Sequence, residues 1–218
     1  MKDKYYNKAL NYLSYKARTK QEVYNYLLEK EATDEQAQLV LKKLIYYNMV
    51  NDEVYTNSYI ITQKLNNKSP KKIKNELITR GVSIIIIENV IEKLYTIEDE
   101  LSVATKQMEK FLRTAKAAPF NQIKNKVYNK LLSQGFSSTT INQCIEELNN
   151  NLELNSWLKE NETKIKDTAL QIGYKYYDKY RKKKNINTYK IKGNIYNTLL
   201  RKGYATELCR EVIEEIFT

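Results

Sequence analysis

Few side chains in this 218-residue sequence could do chemistry, and most catalytic groups are missing. There is no histidine, which excludes histidine-based triads and histidine-containing metal sites. Cys144 and Cys209 lie far apart, too few for a structural zinc site. Both fall on apolar positions of a helical pattern, where a small buried thiol is expected rather than a disulfide. The five glycines are isolated, so no phosphate-cradling loop is present. Carboxylates adjacent in sequence, such as Asp99-Glu100 and Glu146-Glu147, diverge on a helix and read as solvated faces. Neither catalysis nor a cofactor nor a metal is expected.

What remains is positive charge. The net charge of +11 is unevenly spread, with +4 over residues 64–95 and +6 over residues 159–218, against +1 over residues 1–63 and zero over residues 96–158. The first cluster contains Lys64, Lys68, Lys71, Lys72, Lys74 and Arg80; the second contains Arg181, Lys182, Lys183, Lys184, Lys190 and Lys192. Such clusters suit a polyanion or an acidic protein groove, and these twelve residues are the candidate partner contacts. No set of Arg, Asn and Gln is committed to reading base edges, so any nucleic-acid binding is expected to be sequence-independent.

The elements that position these charges follow from a fourfold repeat. Val23–Leu28, Ile73–Ile78, Val127–Leu132 and Ile195–Leu200 share the pattern apolar-x-Asn-x-apolar-apolar. Each runs at the same offset into a second apolar series, containing Val40 and Leu44, Val90 and Leu94, Cys144 and Leu148, or Val212 and Ile216. The repeated asparagines, Asn25, Asn75, Asn129 and Asn197, are expected to be structural, each amide bonding a neighbouring helix or loop. The implied fold is all-α: a tandem array of four three-helix repeats forming an elongated, curved, solenoid-like protein. The repeats span residues 1–48, 49–95, 96–150 and 151–218. The last is longer by 14 residues before Ile191. An extended first helix accounts for them, with an apolar stripe of Trp157, Ile165, Ala169, Ile172, Tyr176 and Tyr180 and a protruding basic end.

Local signals mark the helix boundaries. Thr19-Lys-Gln-Glu22 and Thr33-Asp-Glu-Gln36 are capping boxes. Ser69-Pro70 supplies an N-cap followed by proline at the first helical position. Gly81, Gly135 and Gly203 share one slot after the second helix, where a left-handed cap needs glycine; Glu31 holds that slot in the first repeat, whose helix should end differently. Ile84, Ile85 and Ile86 fall in the first turn of a helix, at positions that are polar in other repeats. Cover by a neighbouring repeat is favoured for them over an exposed patch. No aliphatic run approaches the ~18 residues of a membrane span, and no apolar signal region opens the chain, so a cytoplasmic location is expected; the protein is also expected to be a monomer.

The second repeat resembles a known family. Asn51-Asp52-Glu53-Val54-Tyr55-Thr56 is similar to the Asp-Asp-x-aromatic-Ala signature of the RecX family, regulators of the RecA recombinase. Pro70, Ile73, Glu76 and Leu77 match that family's Gly-Pro-x-x-Ile-x-x-Glu-Leu, and Arg80-Gly81-Val82 its Lys-Gly-Ile. Arg18 and Glu22 stand where the family has Arg-Ser-x-x-Glu-Leu. The match covers residues 5–95, while residues 96–218 agree only as a three-helix repeat. Asn51 replaces the first Asp of the signature, leaving Asp52 alone to cap the helix. The resemblance implies a non-enzymatic modulator lying in the groove of the RecA–DNA filament and damping its ATPase and strand-exchange activity. The alternative is a helical repeat protein that binds single- or double-stranded DNA without a recombinase.

Overall fold

The computed structural model describes residues 4–182 and 187–218, and among these all regular structure is helical. Thirteen helices follow one another: α1 (Lys4–Tyr15), α2 (Lys20–Glu29), α3 (Asp34–Tyr46), α4 (Asp52–Leu65), α5 (Pro70–Thr79), α6 (Ile84–Leu94), α7 (Ile97–Leu112), α8 (Phe120–Ser133), α9 (Ser138–Asn149), α10 (Leu152–Glu160), α11 (Glu162–Arg181), α12 (Thr188–Arg201) and α13 (Thr206–Phe217). They form two compact units. One runs to Lys106 and includes Ser133–Thr140; the other comprises Gln107–Leu132 and Ile141–Thr218.

In the first unit α1, α2 and α3 pack mutually, as do α4, α5 and α6. The repeat's apolar positions are what they bury. Ala9, Val23, Leu27, Ala37, Val40 and Leu44 make one core, with Ala32 and Val50 closing it. Ile60, Ile73, Leu77 and Ile87 are fully buried in the corresponding places of the next three helices. In the second unit Ile165, Ala169, Ile191, Ile195, Leu199, Cys209 and Val212 form the core of α11, α12 and α13. Ile172, Tyr176 and Tyr180 pack against it, as the apolar stripe requires. Both cysteines are buried free thiols, and burial pushes that of Cys209 up to about 11.

The helix starts follow the sequence signals. Thr19 and Thr33 each close a reciprocal capping box, and Ser69 caps α5 ahead of Pro70. Four expectations need correction. Glu31 adopts φ 68°, the same left-handed conformation as Gly81, Gly135 and Gly203 at 79–86°. The bond pair Glu31 N–H to Leu28 O and Ala32 N–H to Leu27 O is the one that also ends α5, through Gly81 and Val82. The first repeat therefore ends its second helix as the others do, at the cost of a strained non-glycine residue. Ile84 and Ile85 are exposed (48% and 67%), Ile86 is half-buried and Ile87 fully buried. At 100° per residue only one of four successive isoleucines can face the core squarely, and no neighbouring repeat covers the first two.

The stretch before Ile191 is not one long helix. It breaks at Asn161 (φ −104°, ψ 11°), which ends α10 and precedes α11, its side-chain amide donating to Trp157 O at 2.9 Å. Trp157 thus belongs to the short α10, while the 20-residue α11 carries the rest of the stripe. The end of α11 and the residue after it, Arg181 and Lys182, are exposed; Lys183 and Lys184 lie outside the described residues.

The fourth correction concerns the repeated asparagines. All four are exposed, and the amide of Asn25 accepts from Gln21 on its own helix at 2.8 Å. They sit on the outer face of the second helix in each repeat instead of tying it to a neighbour.

Candidate functional site

Six residues of the family signature, Glu22, Asp52, Tyr55, Glu76, Arg80 and Gly81, lie at or beside one place, the joint where the second three-helix group meets the first. α2 begins there. The buried Thr19 hydroxyl accepts from Glu22 N–H as the cap of α2 and donates to Arg80 O at 2.7 Å, at the end of α5. The Lys20 N–H, left without a helical partner in the first turn, donates to Asp52 Oδ1 at 2.9 Å. Asp52 is itself buried. It caps α2 and not its own helix, because Asn51 caps α4 by accepting from Glu53 and Val54 N–H. The asparagine that departs from the signature thus takes the local cap and leaves Asp52 free for the joint.

Charges lock the same joint. Arg80 Nη1 donates to Glu22 Oε1 at 2.7 Å, and its guanidinium lies 5.2 Å from the centre of the Tyr59 ring. Tyr59 stacks beside Tyr55 and donates to Glu76 Oε2 at 2.7 Å. Lys68 closes the chain on both Glu76 oxygens, at 2.7 and 2.8 Å. Burial followed by the Glu76 bond pushes the Tyr59 hydroxyl up to about 12. Burial raises Tyr55 as well. Burial would also raise Glu76, but hydrogen bonds from Lys68 and Tyr59 hold its carboxyl below the usual range. Arg18 stacks over Tyr12 at 4.1 Å, and Tyr12 lies flat on Tyr26 at 3.9 Å.

Gly81 completes the contact. A Cβ there would sit inside van der Waals contact of the Gln21 side chain, so the loop after α5 meets the start of α2 only as glycine. The device recurs. Ser69 donates to Gln134 O at 2.6 Å, and a Cβ on Gly135 would come within 3.2 Å of Ser69 Oγ. A Cβ on Gly203 would come within 2.9 Å of Gln122 N. At Glu31 the loop meets α1 instead, where Tyr5 donates to its carbonyl, and a side chain is tolerated.

The structure divides the first basic cluster. Lys64 pairs with Asp99 at 2.5 Å, Lys68 with Glu76, Lys74 with Glu88 at 2.6 Å and Arg80 with Glu22. Asp99 is held below its ordinary value by the Lys64 bond and then by the Thr96 N–H. Four of these six cations are therefore neutralised within the fold, while Lys71 and Lys72 are exposed, without an ion-pair partner among the described residues. In the second cluster Arg181 pairs with Asp178 on its own helix at 2.9 Å. Lys182 and Lys190 are exposed, and the Lys192 ammonium lies 4.9 Å from the centre of the Phe217 ring. Ile73 and Leu77 belong to the core, and Pro70 opens α5. Of the joint partners, Tyr59 carried no signal in the sequence, Thr19 was legible only as the cap of α2 and Lys68 only as a cation; their contacts with Arg80 and Glu76 reveal the rest. Among the described residues no helix is long and apolar enough to cross a membrane, and no cluster of acidic or cysteine side chains could hold a metal.

Comparison with known proteins extends these signatures along the chain. A family model described as the first three-helix domain of RecX matches residues 6–44, and one for its third three-helix domain matches residues 98–145. The regulatory protein RecX of Bacillus cytotoxicus is 33% identical over 205 residues, covering 94% of this chain and 72% of that protein. The chain belongs to the RecX family. The regulatory protein RecX of Bacillus mycoides is 32% identical over 206 residues, with the same coverage. The crystal structure of RecX from Lactobacillus salivarius superimposes with a TM-score of 0.64 at 33% identity, covering 68% of this chain and 96% of that one. Membership in RecX, a family of regulatory proteins, thus extends well beyond residues 5–95. The third three-helix segment matches in sequence as well as in repeat pattern.

Proposed function

We propose that this protein regulates the RecA recombinase, lying in the groove of the RecA–DNA filament and damping its ATPase and strand-exchange activity. The observation that carries this reading is the 33% identity with a regulatory RecX protein across 94% of the chain. In this proposal the repeats divide at residues 1–48, 49–95, 96–150 and 151–218, and a cytoplasmic monomer acts without catalysis. The joint supports it physically. Signature residues stiffen the contact between the first two repeats, so that weak contacts made by each of these repeats to the filament add through effective concentration. Preference for one filament state would then shift its population.

Within the basic clusters the proposal assigns the contacts to cations not engaged in the fold: Lys71, Lys72, Lys182 and Lys190 ahead of Lys64, Lys68, Lys74 and Arg80. The test is the rate of ATP hydrolysis by RecA on single-stranded DNA with increasing amounts of this protein. Inhibition is expected, reduced by K71E/K72E in a variant that melts as the wild type does. A recombinase rate unaffected by the unmutated protein refutes the function; wild-type inhibition by K71E/K72E refutes the assignment of contacts.

A further inference from the structure

Two open grooves in the second unit occupy the same register of successive repeats. One lies between α8 and α9, has a volume of about 510 Å³, and is lined by Lys124, Asn125, Tyr128, Asn142, Ile145, Glu146 and Asn149. The other, about 280 Å³, lies between α12 and α13 and is lined by Lys192, Tyr189, Tyr196, Asn197 and Ile213. Lys124 and Lys192, Tyr128 and Tyr196, and Ile145 and Ile213 are each separated by the 68 residues that separate Asn129 from Asn197. Lysine and tyrosine stand one helical turn apart in both grooves, over an aliphatic floor.

The corresponding positions in the first unit are closed by acids. Tyr24, the counterpart of Tyr128, donates to the Asp34 carboxylate; Lys74, at the same position in the next repeat, pairs with Glu88. Where α3 has Asp34, α9 and α13 have Ser138 and Thr206; where α6 has Glu88, they have Asn142 and Arg210. Neither acid is present at these positions in the later repeats, where Glu146 is the one acidic residue lining the first groove and none lines the second. α8 carries Lys124, Lys126 and Lys130 and no acidic residue, and α12 carries Lys190, Lys192 and Arg201 and none.

We propose that these two grooves bind single-stranded DNA, each taking a base against its tyrosine ring and the adjoining phosphate on its lysine. A half-exposed aromatic ring beside a cation with no carboxylate in an ion pair with it is the combination that holds single strands without reading sequence. The amides of Asn125, Asn142 and Asn197 supply hydrogen bonds any base can meet. An acidic polypeptide would satisfy the lysines but would leave the rings without a flat partner. This proposal does not rest on contact with a recombinase.

The experiment is a titration of a fluorescent oligothymidine with the full chain at low salt, followed by anisotropy, with no recombinase present. Y128A and Y196A are each expected to weaken binding about tenfold, the size of one lost base–ring stack, whereas Y128F and Y196F bind as the wild type does. Tyr196 also packs against the core, so a second variant avoids the rings. K124Q/K192Q should make the logarithmic salt dependence shallower by about 0.7 per lysine. Absence of oligothymidine binding overturns the proposal, as do wild-type affinity in the alanine variants, an unchanged salt slope in K124Q/K192Q, or displacement by polyglutamate at equal charge. None of these results bears on ATPase inhibition, so the two readings fail separately.

Discussion

Glu31 and Gly81 occupy the same slot in successive repeats, and exchanging their residue types should move stability in opposite directions. Glu31 holds φ 68° with an exposed side chain. A left-handed conformation costs a residue with a Cβ about 1–2 kcal/mol, and E31G relieves this. Glycine gives back about 0.5–1 kcal/mol through the freedom of the unfolded chain, leaving a net stabilisation of about 0.5–1 kcal/mol. At Gly81 (φ 79°) the same arithmetic runs in reverse, and a second cost is added. The new Cβ of G81A overlaps Cβ and Cγ of Gln21, near the root of a side chain, where rotation gives little relief. Overpacking of this kind costs about 1–3 kcal/mol, so G81A should lose about 2–4 kcal/mol in all. Urea unfolding followed by circular dichroism reads the difference. With a slope of about 2–3 kcal/mol per molar, E31G should raise the midpoint by about 0.3 M and G81A should lower it by about 1 M or more. E31A, which keeps the strained backbone, should stay close to wild type and separates backbone strain from any contact of the carboxylate. A lower midpoint for E31G would refute the account of backbone strain at Glu31, and a wild-type midpoint for G81A would refute the account of the joint.

The two capping threonines provide a comparison of the same chemistry in different surroundings. T33A removes only an exposed cap and should cost about 1 kcal/mol, whereas T19A also strips Arg80 O of a buried partner and should cost about 2–4 kcal/mol; equal losses in thermal melts would show that Thr19 does not hold the joint. Glu76 titrates below its ordinary value of 4.5 in the folded protein, so its contribution is present above that pH and is lost as pH falls through and below it. Urea midpoints measured across that range should decline more steeply for the wild type than for E76Q, and parallel curves would exclude Glu76 as a source of the acid sensitivity.

Helices, cores and caps were legible in the sequence because they depend on residues a few positions apart. The apolar spacing of Val23 and Leu27, or Ile191, Ile195 and Leu199, locates a buried stripe without reference to any other helix. The capping boxes at Thr19 and Thr33 are closed by residues three positions on. The signature at Asp52, Glu76, Arg80 and Gly81 marked the joint as important while hiding its purpose, since Asp52 serves a helix that begins 32 residues earlier.

The departures arise where a side chain's partner is remote in sequence or absent. Lys64, Lys68, Lys74 and Arg80 form a basic cluster in sequence, yet each meets a carboxylate 8 to 58 residues away, which sequence charge alone does not reveal. The recurring asparagines have the spacing of a structural element but face outward, because recurrence says that a position is equivalent and not what touches it. Periodicity and capping are short-range and are written into the chain; burial of a polar group, neutralisation of a charge and the room for a glycine depend on which helix lies opposite. That choice is made by packing.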